Sequence, residues 1–130
     1  LPVTADGRSL FWAGMNKGKK SIAIDIARPE GQELATALIT APGEQAGLFL
    51  TNFPARGWLS YEALCRRRPD LIHVNVLGDR HGGSEVDYTV NPRVGLPSLT
   101  GPADDARPVN HVLPAWDNIC GQMAAVGLLA

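Results

Sequence analysis

The sequence predicts an α/β fold in which parallel strands alternate with helices. Three apolar segments with the character of strands lie at residues 21–26, 46–51 and 70–77, and capped helical segments separate them. The order strand, helix, strand, helix, strand is typical of a doubly wound sheet, because right-handed crossovers place the helices on its faces. The three strands are therefore expected to run parallel.

The first two elements are predicted from alternation and from a proline. Residues 21–26 (SIAIDI) alternate polar and apolar side chains and include β-branched residues, which indicates a strand. Pro29 then opens a helix, since a proline at the first helical position loses no hydrogen bond. The residues expected to form its buried face, at helical spacing, are Leu34, Leu38 and Ala41.

The next three elements repeat this pattern. Residues 46–51 (AGLFLT) form a continuous apolar run, as expected of a strand covered on both faces. Ser60 begins a second helix, because its hydroxyl can cap the helix formers that follow it. Pro69 ends that helix, and residues 70–77 (DLIHVNVL) form the third predicted strand.

Residues 78–114 are rich in Gly, Pro, Asp and Asn and are predicted to be a long loop with short strand-like pieces, VDYTV and PVNHVL. A loop of this length in a compact domain is usually functional or poorly ordered. Asp117 is expected to begin the last helix. Its predicted apolar stripe consists of Ile119, Met123, Val126 and Ala130.

The composition limits the classes of partner. With 12 basic and 13 acidic residues the formal net charge is −1, which gives no electrostatic reason to expect nucleic acid or an anionic membrane. Cys65 and Cys120 lie far apart with no CxxC pattern, so neither a disulfide framework nor a zinc site is indicated and a reducing cytoplasm is expected. The chain starts without Met and stops within a helical run, so we expect a segment of a longer protein.

A basic turn (residues 14–21, GMNKGKKS) and the Asn52-Phe53 pair are candidate binding elements. The turn fails the phosphate-loop pattern, because its glycine spacing is one residue short and it precedes a strand. It is either a solvated turn or a cationic contact for a ligand that carries phosphates. Asn52 and Phe53 end the second strand, where ligands of open α/β sheets bind, but the residues taken alone favour a turn residue and a core aromatic.

Asp117 has two interpretations, and the residue pattern alone does not choose between them. An Asp at a helix start is a common N-cap that contributes about 1 kcal/mol. The same position keeps a carboxylate ionised and suits a nucleophile. Of the histidines, His73 is expected to be structural and His81 a solvent-exposed loop residue, whereas His111 lies close enough in sequence to approach Asp117.

Longer motifs carry a resemblance to a known family. NKGKKSIAIDIARPEGQELATALI is similar to class III (CaiB/BaiF-type) coenzyme A transferases, and the similarity continues through Asn52-Phe53, YEALCRRRPDLIHVNV, Tyr88 and the Asp of PAWDNICGQMAAVGLLA. The motifs follow the family's order over nearly the whole chain. LFWAGMNKGK, TNFPARGWLSYE, SEVDYTVN and PVNHVLPAWD resemble a branch that moves CoA from one carboxyl group of its substrate to the other.

This resemblance implies that residues 1–130 are an internal part of a Rossmann-like large domain, without its N-terminal strand and the C-terminal small domain. It also implies an interlocked homodimer and, as substrate, the acyl-CoA thioester of a small dicarboxylic acid, with no metal and no cofactor beyond that CoA. Asp117 would be the nucleophile that takes the acyl group and then the CoA. Because the NFPARGWL loop is shorter than the family's, Arg56 would substitute for its phosphate-binding arginine. The implied CoA contacts are Asn16, Lys17, Gly18, Lys19, Asn52, Phe53, Pro54, Arg56 and Tyr88.

Two other functions are compatible with the same residues. One is an intermolecular CoA-transferase of the same family, which needs an external carboxylate acceptor. The other is a CoA-binding α/β module without catalytic activity.

Overall fold

The sheet of this protein consists of two parallel strands. The structure is a computed structural model that describes residues 2–130. β1 (Leu48–Thr51) and β2 (Ile72–Asn75) pair in parallel, with Leu48 opposite Ile72 and Thr51 opposite Asn75. Both strands lie within predicted segments, and their parallel pairing with helices between them confirms the α/β fold class.

Helices occupy most of the remaining regular structure. Pro29 takes the first position of its helix, as predicted, and the Ser60 hydroxyl accepts the backbone N–H of Ala63 at 3.2 Å, which confirms the predicted cap. Within the described residues the helices are α1 (Leu10–Met15), α2 (Pro29–Ile39), α3 (Tyr61–Cys65), α4 (Asp87–Arg93) and α5 (Ala115–Leu129), with 3-10 turns at Gly57–Leu59 and Leu96–Ser98. None of these helices is long and apolar enough to cross a lipid bilayer.

The strand predicted at residues 21–26 is wrong, because the structure places no strand there. Neither β1 nor β2 pairs with this segment, and a residue of α2 bonds it instead. The Gln32 side-chain amide donates to the Ile26 carbonyl at 3.1 Å. At Gly31 a Cβ atom would lie 2.0 Å from the Asp25 carbonyl oxygen, so the close approach of helix and segment requires a glycine.

Two predicted burial patterns are also wrong within the described residues. Leu34 and Leu38 of α2 are about half exposed, at 50% and 51%, and the buried residue of this helix is Thr36. On β1, Leu48 and Leu50 are half exposed, so one face of the strand is covered and not both. Helical spacing and an apolar run identify the apolar surface, but the packing of other elements decides whether it is covered.

α5 begins two residues before Asp117 and exposes its predicted apolar stripe. Ala124 is its buried residue, and a Cβ atom added at Gly127 would lie 4.0 Å from the Val74 side chain. The helix therefore approaches β2 through small residues, because they permit close packing. The exposed members of the predicted stripe are Ile119, Met123 and Val126.

Residues 87–93 are helical, although a loop with strand-like pieces was predicted there. The Thr89 hydroxyl accepts the backbone N–H of Val86 at 2.9 Å at the start of α4, and Gly95 follows its end with a φ of 81°. Residues 108–113 contain no strand either. Strand propensity in a short alternating piece is weak, and tertiary packing overrides it here.

Candidate active site

Asp117 is the third residue of α5, with Pro114 in the capping position. Its side chain is exposed, and no donor among residues 2–130 bonds to its carboxylate. The structure therefore corrects the expectation that Asp117 opens the helix and excludes its interpretation as an N-cap. The carboxylate remains available for a ligand or for chemistry.

The first turn of α5 is capped by a residue thirty positions upstream. Asp87 Oδ2 accepts the backbone N–H of Trp116 at 2.7 Å and that of Asp117 at 3.3 Å. These are the second and third N–H groups of the helix, the ones that a capping side chain normally accepts. No sequence pattern indicated this role for Asp87, because the contact joins two elements that are distant in the chain.

Asn91 holds the same turn from the interior. Its side chain is 1% exposed, and its Oδ1 accepts the Trp116 indole N–H at 3.2 Å. An indole N–H only donates, so the atom facing it is the amide oxygen. His111 Nε2, 3.1 Å from the same oxygen, must then carry a proton. The other ring nitrogen of His111, Nδ1, is buried and has no hydrogen-bond partner among residues 2–130.

Asp117 lines two large cavities and a smaller one of about 260 Å³. The first, of about 420 Å³, runs between the start of α4 and the segment before α5. The second, of about 510 Å³, runs from the carboxyl ends of both strands to Asp117. Lining the first are Val86, Asp87, Tyr88, His111, Val112, Leu113, Pro114 and Asp117. Lining the second are Asn52, Pro54, Val76, Leu77, Gly78, Gly82, Gly83, Ser84, Glu85, Val86 and Asp117.

At the strand ends, side-chain hydrogen bonds shape the wall of the second cavity, and no sequence pattern indicated them. The Asn75 side-chain amide, at the end of β2, donates to the carbonyls of Thr51 at 3.1 Å and Phe53 at 2.8 Å. This fixes the turn after β1 and places Asn52 and Pro54 in the cavity wall.

Asp79 stabilises the glycine-rich segment that lines another part of the second cavity. Its carboxylate accepts the backbone N–H of Gly83 at 2.8 Å and that of His81 at 2.7 Å, and these bonds hold the pKa of Asp79 below its usual value. At Gly78 a Cβ atom would lie 2.1 Å from the Glu85 backbone nitrogen, so only a glycine permits this return of the chain.

The residues expected to contact CoA divide into two groups. The second cavity is lined by Asn52 and Pro54 and the first by Tyr88, in each case together with Asp117. Tyr88 lies on α4 and is 69% exposed. The remainder line neither cavity, although Phe53 is half exposed and thus is not the core aromatic of the alternative interpretation. This second group contains Asn16, Lys17, Gly18, Lys19, Phe53 and Arg56.

The basic turn follows α1 and is held by local contacts. Lys19 Nζ donates to the Met15 carbonyl at 3.0 Å and to Asn16 Oδ1 at 3.3 Å, and the Asn16 amide donates to the Trp12 carbonyl at 3.0 Å. Lys17 is exposed. Within residues 2–130 no cluster of His, Cys, Asp and Glu is arranged to hold a metal ion.

Comparison with known proteins decides the family. The profile described as CoA-transferase family III matches residues 1–130. The chain belongs to CoA-transferase family III. A crystal structure of a CaiB/BaiF family protein from Brucella suis superposes with a TM-score of 0.65 at 28% identity, over 85% of this chain and 32% of that one.

Curated family III relatives include two from Chloroflexus aurantiacus. 2-Methylfumaryl-CoA isomerase is 71% identical over 130 residues, which is 99% of this chain and 32% of the relative. Succinyl-CoA–D-citramalate CoA-transferase is 30% identical over 95% of this chain and 32% of its own length. The chain spans about a third of the length of these relatives.

Proposed function

We propose that this chain carries the nucleophile of a 2-methylfumaryl-CoA (mesaconyl-CoA) isomerase, which moves CoA from C1 to C4 of one substrate molecule. The observation that carries the proposal is the exposed Asp117 carboxylate, which is free of hydrogen bonds from the described residues and lines two large cavities. The 71% identity to a 2-methylfumaryl-CoA isomerase supports this substrate over the other CoA esters of the family.

The reaction proceeds through an aspartyl-CoA thioester on Asp117. The carboxylate attacks the thioester carbonyl and releases CoA thiolate, leaving a mixed anhydride. The thiolate attacks the aspartyl carbonyl of this anhydride, which gives aspartyl-CoA and frees the C1 carboxylate. The C4 carboxylate then attacks aspartyl-CoA and releases the thiolate again. Attack of the thiolate on the C4 carbonyl completes the transfer and restores Asp117.

The two cavities suit the two parts of the substrate. The second cavity leads from the strand ends past Asn52 and Pro54 to Asp117, and is the channel for the thioester arm of CoA. The first cavity, beside Tyr88 and His111, holds the diacid. Retaining the free diacid there between the two halves of the reaction gives the second attack the advantage of proximity.

The decisive experiment replaces Asp117 in the full-length protein. Asp117→Asn keeps the shape but cannot carry an acyl group, so turnover is expected to fall by at least about 10⁴-fold while CoA binding persists. Asp104→Asn, at an exposed residue that makes no side-chain hydrogen bond, is the matched control and is expected to keep full activity. Near-normal turnover of Asp117→Asn would refute the proposal.

Hydroxylamine trapping tests the aspartyl-CoA intermediate, and dependence on an added acid tests whether the transfer is intramolecular. Hydroxylamine should inactivate the enzyme only in the presence of acyl-CoA, because it displaces CoA from the aspartyl thioester and leaves a hydroxamate at Asp117. The isomerase should convert 2-methylfumaryl-CoA without added acid. If turnover requires an external carboxylate, the protein is an intermolecular CoA-transferase like the relative that acts on D-citramalate.

A further inference from the structure

α4 presents two side chains to the start of α5 from one face. Asp87 and Asn91 are four residues apart and therefore lie one above the other on the helix surface. Asp87 bonds the backbone of Trp116 and Asp117, and Asn91 bonds the indole of Trp116. Both contacts reach the same turn, one at its backbone and the other at its side chain.

The local sequence cannot supply this support. Pro114 occupies the capping position and has no side-chain acceptor, so the N–H groups of Trp116 and Asp117 would otherwise depend on solvent. An Asp in the first turn can itself fold back on such groups. With Asp87 accepting both N–H groups, the Asp117 side chain is left free to point its oxygens at a ligand.

We infer that Asp87 is a positioning residue for Asp117, with Asn91 holding the same turn through the Trp116 indole. This inference rests on the proposed function, because it concerns the placement of the nucleophile. Asp87 does not react. It occupies the helix donors, fixes the direction of the first turn of α5, and so sets where the Asp117 carboxylate meets the thioester carbonyl. Displacement of a reacting group by about 1 Å can slow a reaction about 100-fold.

The test compares Asp87→Ala and Asp87→Asn in the full-length protein, with Asp104→Asn as the control. Asp87→Ala removes both hydrogen bonds, and kcat is expected to fall about 100-fold. Asp87→Asn keeps an oxygen acceptor without the charge, and kcat is expected to fall about tenfold, since such bonds are roughly half as strong as charge-assisted ones. Although Asp87 borders the first cavity, the KM for acyl-CoA should stay within about twofold in both variants, because the Asp87 Oδ2 atom is engaged by the backbone of α5.

Hydroxylamine trapping separates positioning from general structural damage. The rate of hydroxamate formation at Asp117, per folded molecule measured by circular dichroism, should fall in parallel with kcat. A kcat within twofold of the unaltered enzyme in a folded Asp87→Ala protein would overturn the inference. So would a rise in KM at constant kcat, which would make Asp87 a substrate-binding residue. If Asp87→Ala does not fold, the same criteria apply to Asp87→Asn at a tenfold expected loss.

The Asp117 and Asp87 variants distinguish a wrong positioning role for Asp87 from a wrong nucleophile. If Asp117→Asn is inactive and both Asp87 variants are fully active, Asp117 remains the nucleophile and only its positioning by Asp87 is refuted. If Asp117→Asn is active, the proposed function itself is refuted, whatever the Asp87 variants do.

Discussion

The turn that carries Asp117 and the basic turn at residues 14–21 are held in different ways. The Asp117 turn is fixed by side chains from α4, at separations of 25 to 30 residues. In the basic turn, the hydrogen bonds of Asn16 and Lys19 span three or four residues. The proposed nucleophile is therefore placed by side chains from a distant part of the chain. In the basic turn the Lys17 side chain is exposed, whereas Lys19 is bonded to residues of its own turn.

The largest stability effect is expected at Asn91. Asn91→Leu leaves the Trp116 indole N–H and His111 without their acceptor, which costs about 1–3 kcal/mol because all three groups are at least partly buried. Amide hydrogen exchange in residues 111–120 should accelerate about 10- to 100-fold. Gln122→Leu, on the exposed side of α5, is the control and should change exchange little. Unchanged exchange in Asn91→Leu would mean that the turn is held locally after all.

The lysines of the basic turn are expected to affect the binding of acyl-CoA and not the stability of the fold. Lys17→Ala with Lys19→Ala is expected to raise the KM for acyl-CoA about tenfold, or about 1.4 kcal/mol, with kcat unchanged and the effect weaker at high salt. Arg8→Ala, which removes an exposed cation paired with Asp6, serves as the control. A KM that stays constant in the double variant would favour the interpretation of residues 14–21 as a solvated turn.

The smallest effect is expected for Asn16→Ala. Its side chain bonds the Trp12 carbonyl and the Lys19 ammonium at the exposed end of α1, so the free energy of unfolding should change by less than about 0.5 kcal/mol. Hydrogen exchange in α5 should not change. Faster exchange there would show that the two turns are coupled, contrary to the comparison above.

Features with a local cause were predicted correctly. β1 and β2 lie within the predicted segments because short apolar runs bounded by turn residues favour strands. The start of α2 at Pro29 and the Ser60 cap depend only on the residue itself and its immediate neighbours. The family was also predicted correctly from the motifs, because the profile match confirms the resemblance.

The sequence by itself therefore predicted β1, β2, α2, α3 and α5 in their order, and it suggested Asp117 as the nucleophile. Tertiary structure alone decided three things: that residues 21–26 pack on α2 and not in the sheet, that residues 87–93 are helical, and that Asp87 caps α5. The Asp87 cap joins residues 29 and 30 positions apart, so no local pattern could indicate it. The other two rest on hydrogen bonds that span six and three residues, and there the strand propensity of a short segment is too weak to oppose those bonds.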